Sequence, residues 1–226
     1  VTPIARSTGR TEASTGQTYN TVYLSAGTPT GEGVSERTGE FGGLEAAGRQ
    51  FESTKQEAAD LVASLTDAQV NWRPAPGRWS IGECLLHLAT STDAALPALD
   101  LAIETAQVHG WVARGPYRYG WFTRWNVRAM EPPPSFRIRT FRIFEPPATA
   151  MRGGAVARAL ADSRDRLLER TRIAAGVDLK RAIVVSPASR LFRLPLGGYI
   201  AFLAAHDRRH LWQARQVLGA SGFGQG

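Results

Sequence analysis

His206 and His210 are the residues in this chain best spaced to do chemistry. They stand four positions apart on a segment that reads as helix, which puts them one turn apart on the same face. That face also carries Tyr199, Leu203 and Val217, so it is the stripe that turns inward. Two imidazoles on an apolar face need partners, because an unpaired buried polar group costs free energy. One divalent ion satisfies both at once, imidazole nitrogen binding zinc at about 2.0–2.1 Å. The competing reading places one or both at the edge of the fold, bonded to water or to a carboxylate. His87 lies on an earlier helical segment, at the flank of its apolar stripe, and alone it reads as a satisfied edge histidine. Facing helices of a bundle do build metal sites, however, and a third ligand is what the His206/His210 pair lacks. The fourth histidine, His109, stands beside Gly110 at a predicted helix end, where an imidazole meets the negative end of the helix dipole.

Three neutral imidazoles leave a tetrahedral ion one open position, the arrangement of catalytic rather than structural sites. An ion so held lowers the pKa of a bound water or binds a thiol as thiolate. Imidazole-only ligation suits zinc, nickel, copper or iron. Glu83 and Asp207 are candidate acceptors for ligand N–H groups. Glu83 is the better candidate for a helix cap, and Asp207, about 100° around the helix from His206, for a surface partner of an arginine. Gln213, three residues after His210, can border the open position or be an ordinary polar helix residue. Cys84, one turn before His87, reads as a buried small hydrophobe. No residue declares itself as a catalytic acid or base.

These groups require helices to hold them. The spacing predicts a helix over about 43–65, with Phe51, Ala58, Leu61, Val62 and Leu65 on one side, followed by a Pro/Gly-rich loop from Asn71 to Gly77. Ser80 with Glu83 forms a capping box, Trp79 and Cys84 form a hydrophobic staple around it, and the helix they open runs to His109-Gly110 with a kink expected at Pro97. Further helices are expected over 150–175 and from Leu196 to Leu218-Gly219. Between the second and third lies a long connection, 111–149, rich in aromatic residues. It reads either as a functional lid or as a strap across the bundle, with Phe136–Phe144 as a short strand or extended loop. A β-branched run at Ile183–Val185 is too short to argue for a sheet. The expected fold is all-α: a bundle domain over 44–219, a flexible tail over 1–43 in which only Thr18–Leu24 suggests an extended piece, and a short tail over 220–226.

Two stretches of the chain resemble the DinB/YfiT-like superfamily. They are Trp72-Arg-Pro-Ala-Pro-Gly-Arg-Trp79-Ser80-Ile81-Gly-Glu83-Cys-Leu-Leu-His87-Leu and, far downstream, His206-Asp-Arg-Arg-His210-Leu-Trp-Gln213. The likeness covers roughly residues 45–218. It implies a four-helix bundle with a long crossover connection and three histidine ligands for zinc, nickel or a similar ion, which map onto His87, His206 and His210. It also implies, from characterised relatives, thiol-dependent S-transfer using bacillithiol, mycothiol or glutathione. A small-molecule substrate, a low-molecular-weight thiol and a second copy of the chain are the partners expected on that basis. Asp207 departs from the pattern, since Glu often follows the first histidine of the late pair.

Other readings compete. A metal-dependent hydrolase and a non-enzymatic metal-binding protein fit the same bundle. His206-Asp-Arg-Arg-His210 approximates a zinc-protease motif with a shortened base, but no His, Asp or Glu follows His210 to complete it. The net charge of +7 raises nucleic acid as a partner. The basic residues are almost all arginine, with Lys55 and Lys180 the only lysines, and they are mixed with acids, so the composition speaks against a dedicated nucleic-acid site. The arginines of the connection (Arg114, Arg118, Arg124, Arg128, Arg137, Arg139 and Arg142) outnumber its acids, Glu131 and Glu145, and suit either an anionic cosubstrate or a solvated surface. No apolar run is long enough to span a bilayer and residues 1–40 show no signal-peptide pattern, so no membrane partner and a cytoplasmic location are expected. The single cysteine agrees with a reducing compartment.

Overall fold

Ser80 opens the helix that carries His87 with both arms of a capping box. Its hydroxyl accepts from the Glu83 N–H at 3.1 Å, and the Glu83 carboxylate accepts from the Ser80 N–H at 2.9 Å. The computed structural model describes residues 39–134, 144–146 and 150–224. The expected tail over 1–43 therefore lies almost wholly outside the described residues, as do the extended piece at Thr18–Leu24 and most of the Phe136–Phe144 run.

Among the described residues a short 3-10 turn, Glu40–Gly42, is followed by eight elements. They are α1 (Gly43–Ala63), α2 (Asp67–Asn71), α3 (Ile81–Val108), α4 (Trp121–Met130), α5 (Gly153–Ile173), β1 (Ile183–Val185), β2 (Arg193–Pro195) and α6 (Leu196–Leu218). The four long helices α1, α3, α5 and α6 form the bundle. Both α1 and α3 pack against α5 and α6, so the consecutive helices α1 and α3 stand diagonally, and the return from α3 to α5 is the long crossover. Pro97, where a kink was expected, stands inside the continuous helix α3. Pro97 and Asp93 lie on its exposed side, so water can satisfy the carbonyl that the proline cannot bond.

Three local features depart from the expectations. The segment after α1 contains α2, opened by a second capping box between Thr66 and Gln69. Its Asp67 and Asn71 side chains bond the backbone of Gly153 and Met151, which fastens the start of α5. Within the long connection, the stretch rich in Trp and Arg is helical and packs on α6 as α4. The run Ile183–Val185 pairs with Arg193–Pro195 as an antiparallel hairpin in the register Val184↔Leu194, and those two side chains enter the core. Neighbouring α4 and the chain before it come unusually close to the start of α6. A Cβ on Gly197 would stand 2.0 Å from the Tyr119 hydroxyl, and one on Gly198 2.4 Å from Thr123 Cγ2. Only glycine permits this approach.

Among the described residues two large apolar clusters fill the bundle, and a small third one, Val127 with Ala201 and Ala205, joins α4 to α6. Of the large pair, one holds Phe51, Leu96, Leu99, Leu167, Leu196 and Leu203; the other holds Ala58, Leu85, Leu88, Leu160, Leu211 and Val217. Between them, at the level where each helix passes from one cluster to the other, lies a buried polar layer of Thr54, Thr92, Ser163, Arg164 and Asp207. Among the described residues no helix is long and apolar enough to cross a membrane.

Candidate metal centre

His87 is placed almost two turns into α3, buried, by the capped start of that helix. His206 and His210 project from the middle of α6, whose packing against α3 brings the three rings together. Ring centroids lie 5.0 Å apart for His87 and His206, and 4.5 Å apart for the other two pairs. One ligand atom from each residue lies within 4.8 Å of the others. The nearest pair, Nε2 of His87 and Nε2 of His206, is 3.1 Å apart.

The hydrogen bonds determine which nitrogens carry protons. Nδ1 of His87 sits 2.8 Å from the carbonyl oxygen of Phe144. A carbonyl only accepts, so His87 is the Nδ1–H tautomer and its Nε2 lone pair faces His206. This is the outer bond that orients metal-binding histidines in general. Nδ1 of His210 is buried and has no hydrogen-bond partner in the described structure. Gln213, about one turn on, is within hydrogen-bonding reach of that imidazole.

Burial lowers the pKa of all three rings and so favours their neutral form. Burial pulls His87 below the usual histidine range, against the Phe144 bond, with the Arg164 charge adding to the fall. Burial again lowers His206 strongly, reinforced by His210, His87, Arg164 and Arg209. His210 is lowered by burial, then by His87 and Arg209, while Gln213 works the other way. Neutral imidazoles with free lone pairs are the form that coordinates a cation. Converging ring nitrogens, one of them buried without a partner, and suppressed protonation make a donor set that can hold a divalent ion once the shared His206 proton is displaced, and that suits one of the N-preferring transition metals.

Aromatic rings wall the cluster. Trp79, the residue before the Ser80 cap, lies 4.8 Å from the His87 ring and 5.7 Å from that of His210. Phe202 stacks on His206 at 6.2 Å. Its neighbour Phe192, from the hairpin, extends this wall outward. His206 is the least buried of the three histidines, so the open side lies beside this wall.

The other candidates have different partners. Glu83 gives its carboxylate to Arg73 and to its own cap, and makes no bond to a histidine among the described residues. Asp207 does pair with an arginine, but in the core rather than at the surface. Only 1% exposed, it accepts from Nε and Nη2 of the fully buried Arg164 at 2.8 and 2.5 Å. Burial pushes its carboxyl up and Arg164 pulls it back. Cys84 is buried in the apolar cluster, outside the group of convergent donors, and burial pushes its thiol far up. His109 caps α3 and stacks on Trp111. Of the arginines in the connection, Arg124 pairs with Glu40 at 2.8 Å, Arg114, Arg118 and Arg128 are exposed, and Arg137, Arg139 and Arg142 lie outside the described residues.

Besides the Phe192 and Phe202 wall, three participants escaped the sequence reading as such. Trp79 reads as half of a staple and as part of the resemblance motif, not as a wall of the site. Phe144 contributes a main-chain carbonyl, which no residue type signals. Arg164 carried a faint signal, because it occupies an apolar-stripe position between Leu160 and Leu167.

Residues 50–214 match the family model of the DinB superfamily. No curated protein and no solved structure matches the chain.

Proposed function

This chain belongs to the DinB superfamily, and from that membership together with its histidine cluster we propose that it is a metal-dependent enzyme transferring a low-molecular-weight thiol to a small electrophile. The observation that carries the reading is the convergence of His87, His206 and His210 as neutral donors. Zinc or nickel is the ion these residues would hold. Such an ion supplies Lewis acidity, which lowers the pKa of a thiol or water presented to it.

The chain's own residues do the rest. Phe144 holds the His87 ring in one orientation through its carbonyl. Trp79 shields the inner side from water. The Phe202 and Phe192 rings line the more open side and offer an apolar surface to the carbon skeleton of a substrate.

The test begins with elemental analysis of untagged protein purified without chelator or added metal, beside a triple His87→Ala/His206→Ala/His210→Ala variant. About one equivalent of metal in the parent, absent from a folded variant, is the expected result. Metal-loaded protein is then assayed with bacillithiol, mycothiol and glutathione against a chromogenic electrophile. Parent protein that takes up neither zinc nor nickel sinks the metal reading. Hydrolysis without any thiol-dependent turnover replaces the transferase assignment by a hydrolase.

A further inference from the structure

Arg164 is the largest fully buried side chain among the described residues, with no exposed surface, and it is a charged one. Its guanidinium reaches three helices. Nε and Nη2 grip the two oxygens of Asp207 on α6. Nη1 donates to Thr92 Oγ1 on α3 at 2.7 Å and to Ser163 Oγ on α5 at 3.0 Å, and both terminal nitrogens stand 3.4 Å from the Leu88 carbonyl of α3. Thr54, on the fourth bundle helix α1, lies against the same carboxylate.

The anchors of this fork are next to the candidate ligands. Leu88 follows His87, and Asp207 follows His206. One residue along a helix is about 1.5 Å of rise and 100° of rotation, so a slip at either anchor moves the neighbouring ring by a comparable amount. The Nε2–Nε2 separation of 3.1 Å leaves little room for such a slip. Core filling alone does not account for the pair, because apolar replacements of a buried ion pair are often as stable or more so. Apolar clusters above and below the layer already hold the helices together but are tolerant of sliding and rotation. A planar five-donor fork is not.

We propose that Arg164 is the positioning residue of the metal centre: clamped between Asp207, Thr92 and the Leu88 carbonyl, it sets the axial and rotational register of α3 against α6 that brings His87 onto His206. The proposal rests on the metal reading above.

The test compares the parent with Arg164→Met/Asp207→Leu, which removes both charges at similar volume, and with Arg164→Lys, which keeps the charge and loses the fork. Helicity and melting temperature report the fold. Zinc affinity is measured by competition with a chromogenic chelator, and ligand geometry by the visible spectrum of the cobalt-substituted protein. The expected result is a folded double variant with zinc affinity about 10-fold or more below the parent and an altered cobalt spectrum. Arg164→Lys is expected to weaken zinc binding in the same direction, and it decides the matter if the double variant does not fold. Parental affinity and an unchanged cobalt spectrum in the folded double variant, or in Arg164→Lys if only that folds, overturn the proposal and leave the metal reading standing. A parent that binds neither zinc nor cobalt overturns both.

Discussion

The side chain of His87 is tied to the main chain of Phe144, 57 residues away, by a 2.8 Å bond from Nδ1–H to the carbonyl oxygen. The bond crosses from α3 to the end of the long connection. It thereby couples the tautomer of the His87 ring to the placement of a segment with no chemistry of its own.

That bond makes a prediction independent of any metal. In metal-free protein near neutral pH, His87 is the Nδ1–H tautomer, the less common form in solution, and His206 donates Nε2–H to it across 3.1 Å. A long-range proton–nitrogen correlation spectrum of the histidine side chains distinguishes the tautomers. A His87 ring protonated on Nε2 would contradict the arrangement described here.

Cys84 should be inert in the folded protein. The thiol is fully buried among Ile81, Leu85 and Leu88, and burial pushes its pKa well above the ordinary thiol range, so almost no thiolate is available. A disulfide reagent is expected to label it only after denaturation, on the timescale of unfolding. Stoichiometric labelling of native protein within seconds would show that the thiol is reachable and reopen a role for it.

Stability should fall in alkali. Burial pushes the Tyr199 phenol up to about 12, opposed by its bond to Ser186, and Tyr119 and Tyr117 are shifted up by burial as well. In the unfolded chain a tyrosine titrates near about 10. Above that pH the unfolded state has lost protons that the folded state retains, so stability is complete below about 10 and declines as pH rises toward 12. For Tyr199 the loss over that window is on the order of 3 kcal/mol. Urea midpoints measured between pH 8.5 and 11.5 should drop, and the slope should be shallower in Tyr199→Phe. Equal slopes in the two proteins would remove Tyr199 as the cause.

Two glycines separate close packing from helix propensity. Gly197→Ala drives a methyl group into the buried Tyr119 hydroxyl and against Leu179, and is expected to cost about 1–3 kcal/mol although alanine is the better helix former. Gly154→Ala, on the first turn of α5, meets only the flexible end of Arg158 at 3.7 Å and should be neutral or stabilising. Denaturant unfolding of both variants is the check. A neutral Gly197→Ala would mean that α6 and the Tyr119 segment are not in such close contact.

Much of the architecture was legible without coordinates, for local reasons. A capping box is a property of four consecutive residues, so Ser80 and Glu83 announced the start of α3. An amphipathic stripe is a property of one turn repeated, so α1 and α6 could be traced from Phe51 to Val62 and from Tyr199 to Val217. The i,i+4 spacing put His206 and His210 on one face for the same reason. Locality also explains what was missed nearby. The Thr66–Gln69 box was as readable as the first but stood beside a Pro/Gly-rich stretch that suggested a loop. The strand Ile183–Val185 is three residues long, too short for any periodicity to show, and exists because Arg193–Pro195 supplies its partner.

The amino-acid order alone thus determined the long helices, their caps and which histidines could share a face. The tertiary structure decided how those faces meet. Only the packing of α3 on α6 brings His87 to His206, only the crossover brings the Phe144 carbonyl to the far side of that ring, and only burial between two apolar clusters turns Asp207 from an expected surface acid into the partner of Arg164. Each of these depends on residues tens of positions apart. Helix periodicity constrains the direction of a side chain within its own helix, while the distance between two helices is set by the volume and polarity of everything packed between them.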